Sequence, residues 1–185
     1  MVYRNILAYK IFYENIQNSY IFNLKNIVLT MEKHIWSSED KLKYYGYGEW
    51  VEECDYNYFK HNGIECVIKR ALFPKKYVDI YGYDVAGGHL CGYCKLPKNH
   101  PWGECKDIWN LEINVHGGIT YEKNKIIGFD AAHFTDLVPY HRFIIEEMRK
   151  KNIKCPIIFN GVYRNMEYMK EECKKLADQI VEANK

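Results

Sequence analysis

The stretch that decides the fold runs Leu111-Glu112-Ile113-Asn114-Val115-His116-Gly117-Gly118-Ile119-Thr120, then Tyr121 to Lys125, then Ile126-Ile127-Gly128-Phe129-Asp130-Ala131-Ala132-His133. Apolar and polar residues alternate in its first part, which predicts a strand, because successive strand side chains point to opposite faces. A tight hairpin centred on Lys123-Asn124 then leads into a second strand. This hairpin sets His116 opposite Ala131 and beside Asp130, roughly 5 Å away across the ladder.

The same stretch predicts a polar site at one end of the hairpin. His116, Asp130 and His133 are its candidate catalytic residues, because a His and Asp cluster can coordinate a metal, activate water or hold a phosphate. Glu112 and Asn114 share the strand face of His116 and are candidate ligand-binding residues. These residue types leave the reaction open, and they identify no metal and no cofactor.

A pair of glycines, Gly117 and Gly118, follows His116 directly. Glycine inside a strand pattern lowers stability unless the backbone needs an unusual angle or another group must come close. One explanation is a bulge beside a bound ligand, which makes both glycines part of the ligand site. The other is a bulge that only curves the hairpin.

The rest of the pattern predicts an α+β fold with a mostly antiparallel sheet built from hairpins. An Asn62-Gly63 turn joins predicted strands at 56–60 and 64–69, and a further strand covers 89–96. Helices are predicted at 37–43, 136–151 and 165–183. The last two are expected to pack on one face of the sheet, the final one through a stripe of methionine, cysteine and aliphatic residues.

Some residues have two interpretations. Asp136 either caps the helix that follows it or joins the His and Asp cluster, and N-cap preference favours the cap. In the proline-rich loop at 97–103, His100 and Trp102 either line a ligand pocket or cover the edge of the core. Arg164 is a further candidate ligand-binding residue, because a guanidinium binds anions.

Composition limits the class of protein. The chain has 185 residues, of which 48% are hydrophobic, enough for one ordinary domain with a substantial core. Residues 1–30 are rich in Asn, Ile, Tyr, Phe and Lys and lack Gly and Pro. We interpret them as an N-terminal appendage on a single α+β domain at 31–185.

Charge and cysteine usage indicate the environment. The 26 Lys and Arg nearly balance the 24 Asp and Glu, so the sequence does not predict binding to duplex nucleic acid. No apolar run has the length of a membrane span or the form of a signal peptide. The seven cysteines stand in apolar contexts, as in a reducing compartment. We therefore expect a cytoplasmic protein that does not bind membranes.

Cys91 and Cys94 have the spacing of a redox pair, but no helix follows them. On a strand their sulfurs point to opposite faces, so we interpret both as packing residues, neither a redox pair nor a zinc site. The sequence contains no P-loop, no dinucleotide-binding glycine pattern, no His-Glu-x-x-His and no nucleophile-elbow serine.

Several motifs resemble those of a family of small, largely uncharacterised proteins encoded by bacteriophages and mobile elements. They are Tyr45-Gly46-Tyr47-Gly48-Glu49-Trp50, His61-Asn62-Gly63, His89-Leu90-Cys91-Gly92-Tyr93, His100-Pro101-Trp102, Val115-His116-Gly117-Gly118-Ile119-Thr120, Gly128-Phe129-Asp130-Ala131-Ala132-His133 and Tyr163-Arg164-Asn165-Met166-Glu167-Tyr168. The resemblance covers about residues 42–181 and leaves 1–30 outside. Members usually carry Cys where Ala131 stands. The resemblance implies a phage accessory protein in a bacterial cytosol, without an agreed activity.

Two hypotheses of different classes follow. In the first, the chain counters host defence: His116, Asp130 and His133 bind a small phosphate-containing ligand such as a nucleotide signal, with hydrolysis of that ligand as an option. In the alternative, it is an anti-CRISPR-like inhibitor without catalytic activity that binds a host defence protein through its 17 tyrosines. The polar cluster is then an internal hydrogen-bond network. An accessible polar pocket favours the first hypothesis, and complete burial favours the second.

Overall fold

Six strands and three α-helices make up the architecture of residues 30–71, 87–105, 107–154 and 161–184, which the computed structural model describes. The strands are β1 (Thr30–Lys33), β2 (Tyr56–His61), β3 (Ile64–Arg70), β4 (Leu90–Lys95), β5 (Tyr121–Lys123) and β6 (Ile126–Asp130). The helices are α1 (Ser38–Tyr45), α2 (Pro139–Lys150) and α3 (Met166–Ala183). Short 3₁₀ helices lie at Glu49–Val51, Pro101–Glu104 and Ile108–Asn110.

The strands form one sheet in the order β1-β2-β3-β4-β6-β5, and every neighbouring pair is antiparallel. The predicted α+β class is therefore confirmed. The Asn62-Gly63 turn joins β2 to β3 as predicted, with positive φ angles of 48° and 82° that Asn and Gly tolerate well.

The final helix packs on the sheet through the predicted stripe. Its buried residues include Met166, Met169, Cys173, Leu176, Ala177 and Ile180. A Cβ on Gly92 of β4 would lie 2.6 Å from the Phe129 ring and 2.8 Å from Cys173 Sγ, so glycine permits this close approach of α3. The other predicted helix, α2, packs against α1 around a cluster that includes Tyr45, Trp50 and Tyr140.

A buried ionic network joins α1, β3 and the segment before α3. Arg70 and Asp55 are fully buried and form an ion pair of 2.7 Å, and Lys41 lies 3.1 Å from the same carboxylate oxygen. Glu53 accepts hydrogen bonds from the Arg70 guanidinium at 2.7 Å and from the Tyr163 hydroxyl at 2.5 Å. Because each buried charge has an opposite partner, the network fixes these segments relative to one another.

The central hairpin differs from the prediction in its register. Tyr121 pairs with Gly128 and Lys123 with Ile126, so the turn is centred on Asn124-Lys125 and not on Lys123-Asn124. Both turn residues have positive φ angles, 52° and 63°, as the primed turns of two-residue hairpins require. The predicted pairing of His116 with Ala131 is therefore wrong.

The predicted strand at 111–120 is also wrong, because β5 covers only Tyr121–Lys123. The alternation survives, since Ile113 and Val115 are buried in the core. However, the segment makes backbone hydrogen bonds with side chains of α3: Gln179 accepts from Asn114 N–H at 2.8 Å. The end of β6 pairs instead with β4, where Asp130 stands opposite Cys91.

The strand geometry predicted for two cysteines is confirmed. Cys94 faces α3, with its sulfur 3.6 Å from that of Cys66 on β3. Cys91 packs on the opposite face with Tyr93. Their sulfurs therefore do not share a site.

The predicted boundary between an appendage at 1–30 and a domain at 31–185 stays a prediction, because residues 1–29 lie outside the described residues. Within the described parts, no helix combines the length and the apolar character of a membrane span.

Candidate functional site

A buried carboxylate, Asp136, organises the polar cluster. Its Oδ2 lies 2.8 Å from His116 Nε2 and accepts the backbone N–H of His133 at 3.0 Å. Its Oδ1 accepts a hydrogen bond from Arg164 Nε at 3.0 Å. Three groups from separate segments of the chain therefore converge on one carboxylate.

A short parallel bridge between Asp136 and Val162 brings the Arg164 segment to this carboxylate. Val162 N–H donates to the Thr135 carbonyl, and Leu137 N–H donates to the Val162 carbonyl, both at 3.0 Å. A Cβ on Gly161 would lie 2.3 Å from the Asp136 carbonyl carbon, so only glycine permits this approach of the two backbones.

Both ring nitrogens of His116 are hydrogen-bonded. Nδ1 lies 2.9 Å from the hydroxyl of Tyr168, on the side of the ring away from Asp136. Because an ionised carboxylate only accepts, Nε2 carries the imidazole proton and donates to Asp136. In the neutral ring, Nδ1 then accepts the hydroxyl proton of Tyr168, which completes a chain from Asp136 through His116 to Tyr168.

A polar row on α3 holds the segment that carries His116. Tyr168, Glu172, Lys175 and Gln179 are spaced three and four apart, so they lie on one face of the helix. Glu172 accepts the backbone N–H of His116 at 2.8 Å and the Lys175 ammonium at 2.6 Å. The helix therefore supplies the backbone hydrogen bonds that a neighbouring strand would otherwise give.

The second histidine lies against the glycine turn. A Cβ on Gly117 would lie 1.7 Å from His133 Nε2, and Gly117 has a φ of 66°. The rings of His133 and His116 are 5.3 Å apart between centroids. Nε2 of His133 is buried without a hydrogen-bond partner among the described residues, and Asp130 Oδ1 is 4.0 Å away. Gly117 therefore makes the space that His133 occupies, while Gly118 has nothing near its Cβ position.

The charges of the cluster follow from burial and hydrogen bonding. Burial by itself raises the pKa of Asp136, but hydrogen bonds from His116 and Arg164 outweigh it and leave the pKa below its ordinary value. Burial, followed by the charge of Glu172, raises the pKa of Tyr168. At neutral pH the site therefore holds an ionised Asp136 and a protonated Tyr168 hydroxyl.

The structure brings together only some of the predicted site residues. His116 and His133 are neighbours, but the carboxylate that binds His116 belongs to Asp136, whereas Asp130 lies beside His133. The N-cap interpretation of Asp136 is wrong, because α2 begins at Pro139 after Val138 and has no side-chain cap. The carboxylate is already engaged by the cluster.

Other predicted residues lie outside this cluster. Glu112 and Asn114 are exposed, and no hydrogen bond among the described residues joins their side chains to His116.

His100 is buried: its Nε2 donates to the Ile180 carbonyl at 2.8 Å, and its Nδ1 accepts the Trp102 N–H at 3.1 Å. Trp102 packs against the core. The structure thus favours the core-edge interpretation of His100 and Trp102.

Sequence reasoning missed the roles of Tyr168 and Glu172, and also the burial of His89. The first two belong to the polar row on α3, a second pattern of helical period that runs beside the apolar stripe and could have indicated them. His89 precedes β4 and is largely buried. Burial lowers its pKa, and the carboxylate of Asp130 opposes this shift.

Comparison with protein families, curated proteins and solved structures finds no match to this chain. In the described part of the chain, no group of three or more His, Cys, Asp or Glu side chains is placed to hold a metal ion. Fold and site together define an antiparallel α+β protein with an Asp-His-Tyr chain and an adjacent arginine.

Proposed function

We propose that the protein is a phage accessory protein that binds a small phosphate-containing ligand at His116, His133 and Arg164. One observation carries this proposal: the buried carboxylate of Asp136 holds both the His116 imidazole, at 2.8 Å, and the Arg164 guanidinium, at 3.0 Å. Imidazole and guanidinium groups bind anionic oxygens, and groups already fixed lose little side-chain entropy on binding.

Arg164 supplies the permanent positive charge. Among the described residues its guanidinium is hydrogen-bonded only through Nε, and 23% of the side chain is exposed. The two terminal nitrogens can therefore form a paired contact with phosphate oxygens. His133, with 31% of its side chain exposed, lies at the edge of the same cluster.

His116 can keep both of its hydrogen bonds whichever protonation state it has. Its neutral ring accepts a hydrogen bond from Tyr168, whereas a protonated ring would donate one to Tyr168. The bond from Nε2 to Asp136 is the same in both forms.

The resemblance to phage and mobile-element proteins supports the biological side of the proposal. A phage protein of this kind acts in the bacterial cytosol and sequesters or destroys a nucleotide signal of host defence. Such a signal contains phosphate groups and a base. The cluster around Asp136 would bind the phosphate groups.

Binding can be measured by titrating isotope-labelled protein with inorganic phosphate, a mononucleotide and a cyclic dinucleotide while following backbone amide shifts. We expect shifts around His116 and His133, and at least about tenfold weaker binding by Arg164→Gln, a loss typical of a charged hydrogen bond. Arg142→Gln is the matched control, because among the described residues the ion pair of Arg142 is with Glu146 alone, at 3.0 Å, and its guanidinium lies over the ring of buried Trp50. Absence of binding by all probes, or equal binding by both variants, contradicts the proposal.

One observation favours the alternative, a protein-binding inhibitor of a host defence factor. Phe134, directly after His133, is 96% exposed, and Val162, whose N–H donates to the carbonyl of the next residue, Thr135, is 58% exposed. Exposed aromatic residues next to apolar ones are typical of protein contacts. The alternative assigns the interface to the tyrosines of the chain. Four of them are buried and cannot contact a partner, namely Tyr45, Tyr56, Tyr93 and Tyr140.

The two candidate functions separate in an infection assay. Phage carrying Arg164→Gln or Phe134→Ser is plated on a host with an active defence system. Loss of plating with Arg164→Gln alone supports ligand binding. Loss with Phe134→Ser alone supports a protein partner.

A further inference from the structure

Tyr168 ends the hydrogen-bonded chain that begins at buried Asp136. The two links of this chain measure 2.8 Å, from Asp136 to His116, and 2.9 Å, from His116 to Tyr168. A hydroxyl bonded to an imidazole that a carboxylate orients is the arrangement that activates a nucleophile in covalent catalysis.

The position of Tyr168 is fixed by its helix. It lies in the first turn of α3, where its backbone N–H donates to the Asn165 side chain at 3.0 Å. Its ring meets the His116 ring edge-on, with centroids 5.4 Å apart, and the Arg164 guanidinium lies 4.8 Å from the ring centroid on its face. The Arg164 guanidinium and the Tyr168 hydroxyl therefore belong to one cluster, which Asp136 and His116 hold together.

We infer that Tyr168 is the nucleophile of a reaction that cleaves a phosphodiester, an inference that rests on the proposed function. His116 is the general base, and Asp136 is a positioning residue. A diester suits this site because its single negative charge matches the one guanidinium of Arg164.

The reaction has two balanced steps. In the first, the Tyr168 oxygen bonds to phosphorus as its proton passes to His116 Nδ1, and the bond from phosphorus to the leaving oxygen breaks. His116 then gives the proton to that leaving oxygen. In the second, water attacks the phosphotyrosine and gives a proton to His116, the bond to the Tyr168 oxygen breaks, and Tyr168 recovers the proton. Asp136 stays ionised and stabilises the imidazolium.

The test uses bis(4-nitrophenyl) phosphate and the full-length protein. We expect release of 4-nitrophenolate by the wild type and, for Tyr168→Phe, a fall of about 100-fold or more, the range of general-base and nucleophilic assistance. Tyr168→Phe should still bind inorganic phosphate. Tyr47→Phe is the matched control, because Tyr47 is exposed and far along the chain from the cluster. Asp136→Asn should lower kcat more than it raises KM.

A second measurement does not depend on any variant. Acid quenching during turnover by the wild type, followed by mass spectrometry of peptides, should show 4-nitrophenyl phosphate bound to Tyr168. Two results overturn this inference and leave the proposed function standing. One is phosphate binding without turnover, and the other is turnover by Tyr168→Phe equal to that of the wild type. Absence of binding by inorganic phosphate, the mononucleotide and the cyclic dinucleotide alike overturns both.

Discussion

Gly117 shows how one residue can determine the geometry of the site. Its backbone is left-handed, and the position of a Cβ is occupied by the ring of His133. Gly118 is also in the left-handed region, with a φ of 82°, but no atom lies within 4 Å of the position that its Cβ would take. The two glycines therefore separate the cost of the backbone angle from the cost of the contact.

We predict that Gly118→Ala lowers the free energy of unfolding by about 1–2 kcal/mol, the cost of a left-handed residue with a side chain. Gly117→Ala should cost roughly 1–3 kcal/mol more, because the added methyl group displaces His133. Urea denaturation of both variants measures the difference. Equal losses would show that His133 does not pack on Gly117.

Asp136→Asn should lower the free energy of unfolding by about 1–3 kcal/mol near neutral pH, because the hydrogen bonds from Arg164 and His116 lose their charged acceptor. The folded-state pKa of Asp136 lies below its ordinary value of 3.8, although burial opposes this shift. The contribution of ionised Asp136 to the free energy of unfolding is therefore complete above the ordinary pKa. The contribution disappears as the pH falls through the folded-state pKa. Denaturation curves of wild type and variant should therefore converge in acid; a gap as wide at about pH 2 as at about pH 7 contradicts this.

At the scale of elements, α3 performs two tasks with two rows of side chains. The apolar stripe packs on β3 and β4, and the polar row from Tyr168 to Gln179 holds the segment at 112–118. A shift of α3 on the sheet would therefore move Tyr168 and the backbone of His116 together. Close packing of the helix preserves the hydrogen-bonded chain.

The contact between α3 and the sheet depends on Gly92. We predict that Gly92→Ala lowers the free energy of unfolding by roughly 1–3 kcal/mol, since its methyl group would overlap Phe129 and Cys173. Gly103→Ala is the control, because a Cβ there meets Leu96 at an ordinary 3.8 Å. Calorimetry or urea denaturation measures both. Similar stability of the two variants would mean that the helix can move away from β4 at little cost.

At the scale of the whole molecule, two polar clusters meet at consecutive residues of the segment that leads into α3. Tyr163 belongs to the ionic network of Arg70, and Arg164 belongs to the cluster of Asp136. The neighbouring residues therefore link a stabilising network to the candidate site. Loss of either cluster should affect the position of this segment.

The proposed domain boundary leads to a prediction about the N-terminus. A chain beginning at Met31 should keep its Tm within about 4 °C, as expected for loss of a peripheral element. The truncation removes Thr30, which pairs with Phe59 at the end of the edge strand β1. Scanning calorimetry of the two chains tests this, and an insoluble or unfolded product contradicts the interpretation of 1–30 as an appendage.

The sequence by itself determined the elements whose signals are local. The predictions of the Asn62-Gly63 turn between β2 and β3, of a helix at 37–43 and of the buried stripe on α3 all agree with the structure. In each case the deciding interactions join residues a few positions apart, so the pattern of the chain contains them. The histidines of the candidate site were also found, because His116 and His133 flank one hairpin.

Only the tertiary structure decided which partners these histidines have. The carboxylate of Asp136 is 20 positions from His116, and the hydroxyl of Tyr168 is 52 positions away. The alternation at 111–116 predicts a strand, but its backbone groups find partners on α3, and β4 takes the place beside β6. The physical reason is that the packing of α3 on the sheet decides which groups satisfy each buried donor, and no local pattern records that choice.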